Sequence, residues 1–277
     1  MPITTAPDFV ASESATLQAR LWSADPEGWA LFSEPHNLPL FEAVLRAAHV
    51  GGGTRLLDIG CGTGLILRLA DSDGALVSGV DISPGLLEIA ADRVPEADLR
   101  RADLQHLPFP DESFDAVTAV NSFQFAEDPV ATIADAARVL VPGGRLAVGM
   151  FAEPERAQST AIHIAMSALT PPEREDEHAP YALSAPGNIE SALQSAGLSI
   201  HDAGEVDCVW AYDSAEDAVR GLIGSAGGTR AVEGSGEARV RAVIEDALRP
   251  FTDGAGRIAM RNRFRWIVAV KPERSGE

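Results

Sequence analysis

Through the middle of the chain, short apolar runs alternate with stretches of helical spacing. Leu56, Leu57 and Ile59 form a run too short for a helix and opened by the turn-forming Gly51-Gly52-Gly53, so residues 55–59 read as a buried parallel strand. Good helix formers follow over 64–70. The alternation continues as strand 76–80, helix 84–93, strand 98–101, strand 114–120, helix 129–139 and strand 144–150. Ser83 and Pro84 supply cap and first-turn chemistry for the second of these helices, and Val141-Pro142-Gly143-Gly144 stops the last. Such alternation predicts an α/β fold, a doubly wound parallel sheet with helices on both faces.

The flanks differ. Residues 1–10 read as disordered, 14–21 as a helix and 39–48 as another, and between them the segment 22–32 carries Trp22, Trp29 and Phe32. These aromatics either pack the segment onto the body or form a lid, and the two are compatible. Beyond Phe151 a helix is expected at about 157–169, then a polar, proline-bearing stretch over 171–186. The chain closes with helix 187–196, strand 201–212, helix 214–224, a glycine-rich loop over 224–236, helix 236–249 and strand 264–270. The expected organisation is an N-terminal helical lid (1–50), a nucleotide-binding core (51–153), an acceptor cap insertion (154–186) and the C-terminal part of the same α/β domain (187–277).

Candidate chemistry centres on Asp58-Ile59-Gly60-Cys61-Gly62-Thr63-Gly64, where a strand meets a helix. Gly60, Gly62 and Gly64 permit backbone angles and close approaches that a Cβ forbids. A dinucleotide fingerprint would space its third glycine one residue later, where Leu65 stands, so the turn suits a nucleoside with an uncharged or zwitterionic tail. Read alone, the triplet is also consistent with a plain tight turn. Asp81 ends the second strand 21 residues after Gly60, near the spacing at which an acidic residue meets a ribose. Asp103 follows the third strand, where adenine could be held; taken alone it is equally a solvated loop aspartate.

With these residues in view, the chain resembles the class I S-adenosylmethionine-dependent methyltransferases, of the broad type-11 group. The resemblance rests on Leu57-Asp58-Ile59-Gly60-Cys61-Gly62-Thr63-Gly64, Gly79-Val80-Asp81-Ile82-Ser83, Ala102-Asp103-Leu104-Gln105-His106-Leu107-Pro108-Phe109, Ser113-Phe114-Asp115-Ala116-Val117 and Leu140-Val141-Pro142-Gly143-Gly144-Arg145-Leu146. It implies a Rossmann-like sheet of seven strands, mostly parallel with an antiparallel last strand. It implies S-adenosylmethionine as cofactor, S-adenosylhomocysteine as product, and no metal. The same resemblance puts Gly60, Gly62 and Gly64 under the methionyl part and ribose. It assigns Asp81 to the ribose hydroxyls, Ile82 to the adenine face, Asp103 with Leu104 to the adenine edge, and Asn121 to the sulfonium end. Asp58 and Cys61 complete the expected cofactor set.

Composition narrows the partners. The chain has 277 residues, 45% hydrophobic and 23% charged, enough for one domain with insertions or a small cap. A net charge of -19 without a basic cluster argues against nucleic acid. Asn121-Ser122-Phe123-Gln124 also stands where nucleic-acid amino-methylating enzymes carry N-P-P-[YF]. Two cysteines, no leader pattern and no long apolar run predict a cytoplasmic protein without disulfides, metal cluster or membrane span, either monomer or homodimer.

The acceptor is expected beyond the carboxyl ends of the strands. Trp22, Trp29, Phe123, Phe125, Phe151 and Tyr181 are the expected walls of a small-molecule pocket, and Trp210 and Tyr212 are either pocket or core. His36, His163 and His178 are the candidate general bases. The leading expectation is in-line methyl transfer to a small, apolar or aromatic metabolite of specialised metabolism. Alternatives are a methyltransferase-fold enzyme that cyclises or rearranges its substrate, a quinone-pathway C-methyltransferase, and an interaction protein with a vestigial pocket. The glycine spacing counts against an NAD-dependent oxidoreductase.

Overall fold

A computed structural model describes residues 3–5, 11–170 and 182–274, the side chain of residue 182 excepted. Its centre is one eight-stranded sheet of β1 (Thr4–Thr5), β2 (Arg55–Ile59), β3 (Leu76–Asp81), β4 (Asp98–Arg101), β5 (Phe114–Val120), β6 (Leu140–Phe151), β7 (Ser199–Tyr212) and β8 (Ile258–Val270). The order is β1-β4-β3-β2-β5-β6-β8-β7. Strands β1 to β6 pair in parallel, and β8 runs antiparallel to both of its neighbours. The α/β class and the mostly parallel sheet are as expected. One detail differs. The additional strand is β1, which pairs Thr4 with Arg100 and Thr5 with Arg101 inside a segment expected to be disordered; two residues carry no period to recognise. The last strand, β8, is antiparallel as expected, and it inserts between β6 and the edge strand β7.

One face of the sheet is covered by α3 (Leu38–Ala47), α4 (Leu65–Ser72) and α5 (Pro84–Arg93), which bury Leu40, Val44, Ile66, Leu67 and Leu87 against the strands. The other carries α6 (Pro129–Val139) and α8 (Asn188–Ser195), with Ile133, Val139, Ile189 and Leu193 in its core. The N-terminal α1 (Glu13–Trp22) and α2 (Pro26–Phe32) lie at the carboxyl end of the sheet. Ser23 and Ser83 hydroxyls, 2.7 Å apart, tie them to α5, and the Ser33 hydroxyl donates to the Gly221 carbonyl at 2.7 Å on the far side.

A third core, the cap core, lies under helices at one end of the β7–β8 pair, where Tyr212, Ile258 and Met260 enter it. It joins Ile162, Met166 and Leu169 of α7 (Thr160–Ser167) and its end to Val219, Leu222, Ala231, Val240, Ile244 and Leu248. The latter come from α9 (Ala215–Ile223), α10 (Ala226–Ser235) and α11 (Glu237–Leu248). The packing therefore does not follow the expected division at residue 186, because α7 shares its core with helices assigned to the sheet domain. Residues 224–236 were expected as a loop for their glycines, and they form α10. Ser225 caps it, accepting from the Gly228 N–H at 3.1 Å. A Cβ at Gly228 would stand 2.2 Å from the Leu222 carbonyl, so this glycine marks a close helix junction and not a flexible loop. Strand β8 likewise begins six residues before the expected 264, since Ile258 and Met260 alternate into the cap core while pairing with β7.

Candidate active site

The strand-to-helix turn after β2 has three glycines with positive φ, each for a different reason. Gly60 sits at φ +75° with its missing Cβ only 2.5 Å from where the Ser122 Cβ stands, so the turn closes on the end of β5. Gly64 at φ +77° abuts Ala90 at 3.0 Å and serves helix packing. Gly62 at φ +53° has open space where a Cβ would stand, with no atom of the described residues beyond its two chain neighbours within 4 Å of that point. Gly60 and Gly62 line a cavity of about 700 Å³ at the carboxyl ends of the parallel strands, and Gly64 stays outside it.

Carboxylates surround that turn. Asp81 accepts from the Gly62 N–H and the Ser83 N–H, both at 2.8 Å, which fixes its side chain beside the cavity. Burial raises its pKa above the ordinary carboxylate value, against the two N–H bonds. Asp58 is buried and accepts from the Thr118 hydroxyl at 2.6 Å. Burial, with Asp81 and Glu34 nearby, pushes it up to about 7. Asp103 accepts from the Gln105 N–H at 3.0 Å and from the Ser12 N–H at 3.3 Å, so the start of α1 docks on it. Ile82 and Leu104 line the same end of the cavity. Cys61 contributes backbone only; its thiol is buried against Gly79, and burial with Asp81 and Asp58 lifts its pKa well above normal, leaving it a packing group.

Asn121 follows β5 with φ +50°, an uncommon conformation for a residue other than glycine, and its N–H donates to the Gly149 carbonyl at 2.8 Å. Its Oδ1 and the Ser122 hydroxyl are buried at the cavity wall without partners among the described residues. A glycine cradle with open space, flanking carboxylates and unmet polar atoms fits an adenosyl ligand with a charged tail.

The other end of the cavity is aromatic. Trp22 meets Trp29 edge to face at 4.9 Å and Phe125 at 6.1 Å. Phe151 meets His163 at 5.8 Å and Trp210 at 5.9 Å. All six line the cavity. Burial lowers His163 to about 4, so the ring is neutral at pH 7. Besides Gly64, four expected site residues stand elsewhere or are not described. Phe123 packs in the sheet core, because the short turn after β5 points it inward. His36 faces β7 instead, with Nε2 donating to the Ala211 carbonyl at 2.9 Å and its ring against Tyr212 at 4.6 Å. His178 and Tyr181 lie outside the described residues. Of the undecided pair, Trp210 reaches the cavity and Tyr212 belongs to the cap core.

Several lining residues were not anticipated: Gln18, Glu34, Asn37, Met166, Ser225 and Arg230. They come from segments with no sequence motif. A helical period over 226–235, masked by its glycines, would have found Arg230, with Ser225 as the cap before it.

Residues 57–148 match the model of a family described as a methyltransferase domain. The chain is 46% identical over 106 residues to 27-O-demethylrifamycin SV methyltransferase from Amycolatopsis mediterranei, covering 36% of this chain and 39% of that protein. It is 41% identical over 116 residues to demethylmenaquinone methyltransferase from Tropheryma whipplei, covering 41% and 48%. The chain thus spans less than half the length of either relative. Among solved structures, the [4+2]-cyclase SpnF superposes with a TM-score of 0.55 at 26% identity, covering 84% of this chain and 80% of that one.

Proposed function

We infer, from a core that belongs to the class I S-adenosylmethionine-dependent methyltransferases, that the whole chain transfers a methyl group to a small, largely apolar acceptor of specialised metabolism. The observation that carries this is the single cavity, which runs from the Gly60–Gly62 turn, Asp81 and Asp103 to the aromatic walls of Trp22, Trp29, Phe151 and Trp210. Asp81 would hold the ribose hydroxyls, Asp103 and Leu104 the adenine edge, and Asn121 the region of the transferable group. Bound there, S-adenosylmethionine supplies a methyl group on a positively charged sulfur. The chain's share is to hold the acceptor's nucleophilic atom in line behind that carbon and to exclude water. The aromatic walls do both. For a hydroxyl acceptor, the methyl joins oxygen, the C–S electron pair stays on sulfur, and the released proton goes to a neutral base in the cavity, which is the role proposed for His163. His36 has no such role, since it faces β7.

The acceptor class finds support in the relatives. The rifamycin-pathway likeness fits a natural-product acceptor, and the menaquinone-pathway likeness fits an aromatic one. The likeness to SpnF favours a second reading, in which the same cavity folds a polyene for cyclisation with no methyl transferred. Incubating the chain with methyl-deuterated S-adenosylmethionine and an acceptor library separates the two by mass. A product heavier by one labelled methyl group supports transfer; a product isomeric with its substrate supports cyclisation; no product from any member counts against both.

A further inference from the structure

Between α2 and α3 the chain makes a tight turn, Glu34–Asn37, far in sequence from residues 57–148 yet lining the glycine end of the cavity. Three elements pin it. Ser33 bonds α9 through the Gly221 carbonyl, His36 bonds β7 through the Ala211 carbonyl, and Glu34 pairs with Arg93 at the end of α5. Arg93 in turn donates to the Thr63 carbonyl at 3.1 Å and the Thr63 hydroxyl at 2.9 Å, so the turn is tied to the glycine loop itself.

The polar groups it places there are only partly accounted for within the protein. Glu34 and Asn37 are each only 4% exposed, and Asp58, on the same cavity, is 3% exposed. Arg93 offsets the charge of Glu34, and Thr118 serves one oxygen of Asp58. The Asn37 Oδ1 has no partner among the described residues. A buried acceptor left without a donor costs stability, so its retention beside two buried carboxylates calls for a donor from outside the protein.

We propose that Glu34 and Asn37, with Asp58, form the receptor for the ammonium group of the amino-acid tail of the S-adenosyl ligand. An ammonium presents three N–H donors and no acceptor, and each of these three side chains offers an acceptor oxygen, with Arg93 already paired to Glu34. This rests on the reading of the cavity as an S-adenosyl site, and adds that the site is completed by a segment outside the methyltransferase core. Ligand binding and seating of the N-terminal helices are therefore linked, since the turn follows directly on α2.

The test compares two ligands on the full chain by calorimetry: S-adenosylhomocysteine, which has the tail, and methylthioadenosine, which keeps the nucleoside and sulfur but lacks it. N37L removes the acceptor at similar volume, N37D restores one, and E34Q removes the charge. The expected result is that N37L and E34Q each weaken S-adenosylhomocysteine by roughly 5- to 20-fold, with methylthioadenosine and N37D within about 2-fold of the parent. Equal losses for both ligands would make the turn a structural brace only and overturn the proposal, as would an unsubstituted chain that binds both ligands equally well. Failure of the unsubstituted chain to bind either ligand would instead remove the S-adenosyl reading on which the proposal stands.

Discussion

The two ends of the cavity are built in opposite ways. The glycine end, proposed for the adenosyl group, takes Asp58, Gly60, Gly62, Asp81 and Asp103 from one stretch in which each sits near the end of a parallel strand or in the turn after it, and adds Glu34 and Asn37 from the turn before α3. The aromatic end, proposed for the acceptor, is gathered from α1 and α2, the end of β6, α7, the end of β7 and α10. In the first, that stretch is rigid local geometry with fixed spacing. The second depends on three remote segments docking together, through Ser12 on Asp103, Ser33 on Gly221 and the ion pair of Arg20 with Glu233. Substitutions at the two ends should consequently fail differently.

The largest expected effect is at the glycine turn. Gly60→Ala forces a side chain into a left-handed conformation and against Ser122, and should lower stability by about 2–4 kcal/mol in chemical denaturation. Gly62→Ala, in open space, should cost only about 1 kcal/mol of stability, through its backbone angle, while filling room the ligand needs. Equal stability losses for the two would break the distinction between a packed and a ligand-facing glycine.

Next in size is a pair of binding losses. Asp81→Ala should weaken S-adenosylhomocysteine by about 1–3 kcal/mol in calorimetry, through lost charge-assisted hydrogen bonds. Trp29→Ala should leave that affinity within about 2-fold and raise the acceptor KM instead. If Trp29→Ala costs the nucleotide as much as Asp81→Ala does, the two ends are not separable.

The smallest is a pH effect. Asp58 is half protonated near pH 7, held there by burial and by Asp81 and Glu34, and only its ionised form attracts a ligand ammonium. Affinity for S-adenosylhomocysteine should therefore rise from pH 6 to pH 8 by at most about 10-fold, and Asp58→Asn should flatten the profile. Stability of the free chain runs the other way. The native state keeps this proton up to about 7 while the unfolded chain releases it near 3.8, so stability from this group is present at low pH and is lost as pH rises through 7. A flat affinity profile in the unsubstituted chain would remove Asp58 from the ligand's surroundings.

The same contrast explains what the sequence disclosed. Strands β2 to β5 and helices α5 and α6 stand within a residue or two of their expected bounds, because period, caps and glycines are local signals. Gly60, Gly62, Asp81 and Asp103 were legible for the same reason. Asn37 and Glu34 were not, because a polar turn after a helix looks solvated until the tertiary fold buries it. Phe123 and Phe125 could not be told apart by period, since the turn that aims one inward and the other at the cavity is only three residues long. His36 and His163 looked alike in sequence, and the structure turns the first toward β7 and the second into the cavity. The glycines of α10 signalled a loop, and only the contact of Gly228 with α9 shows why they belong in a helix.

Calorimetric titration of the full chain with S-adenosylhomocysteine and with NAD in parallel tests the central claim most directly. The account predicts micromolar binding of S-adenosylhomocysteine and none of NAD, because the third glycine, Gly64, stands one residue earlier than in the dinucleotide fingerprint. Binding of NAD in preference to S-adenosylhomocysteine, or binding of neither, would contradict it.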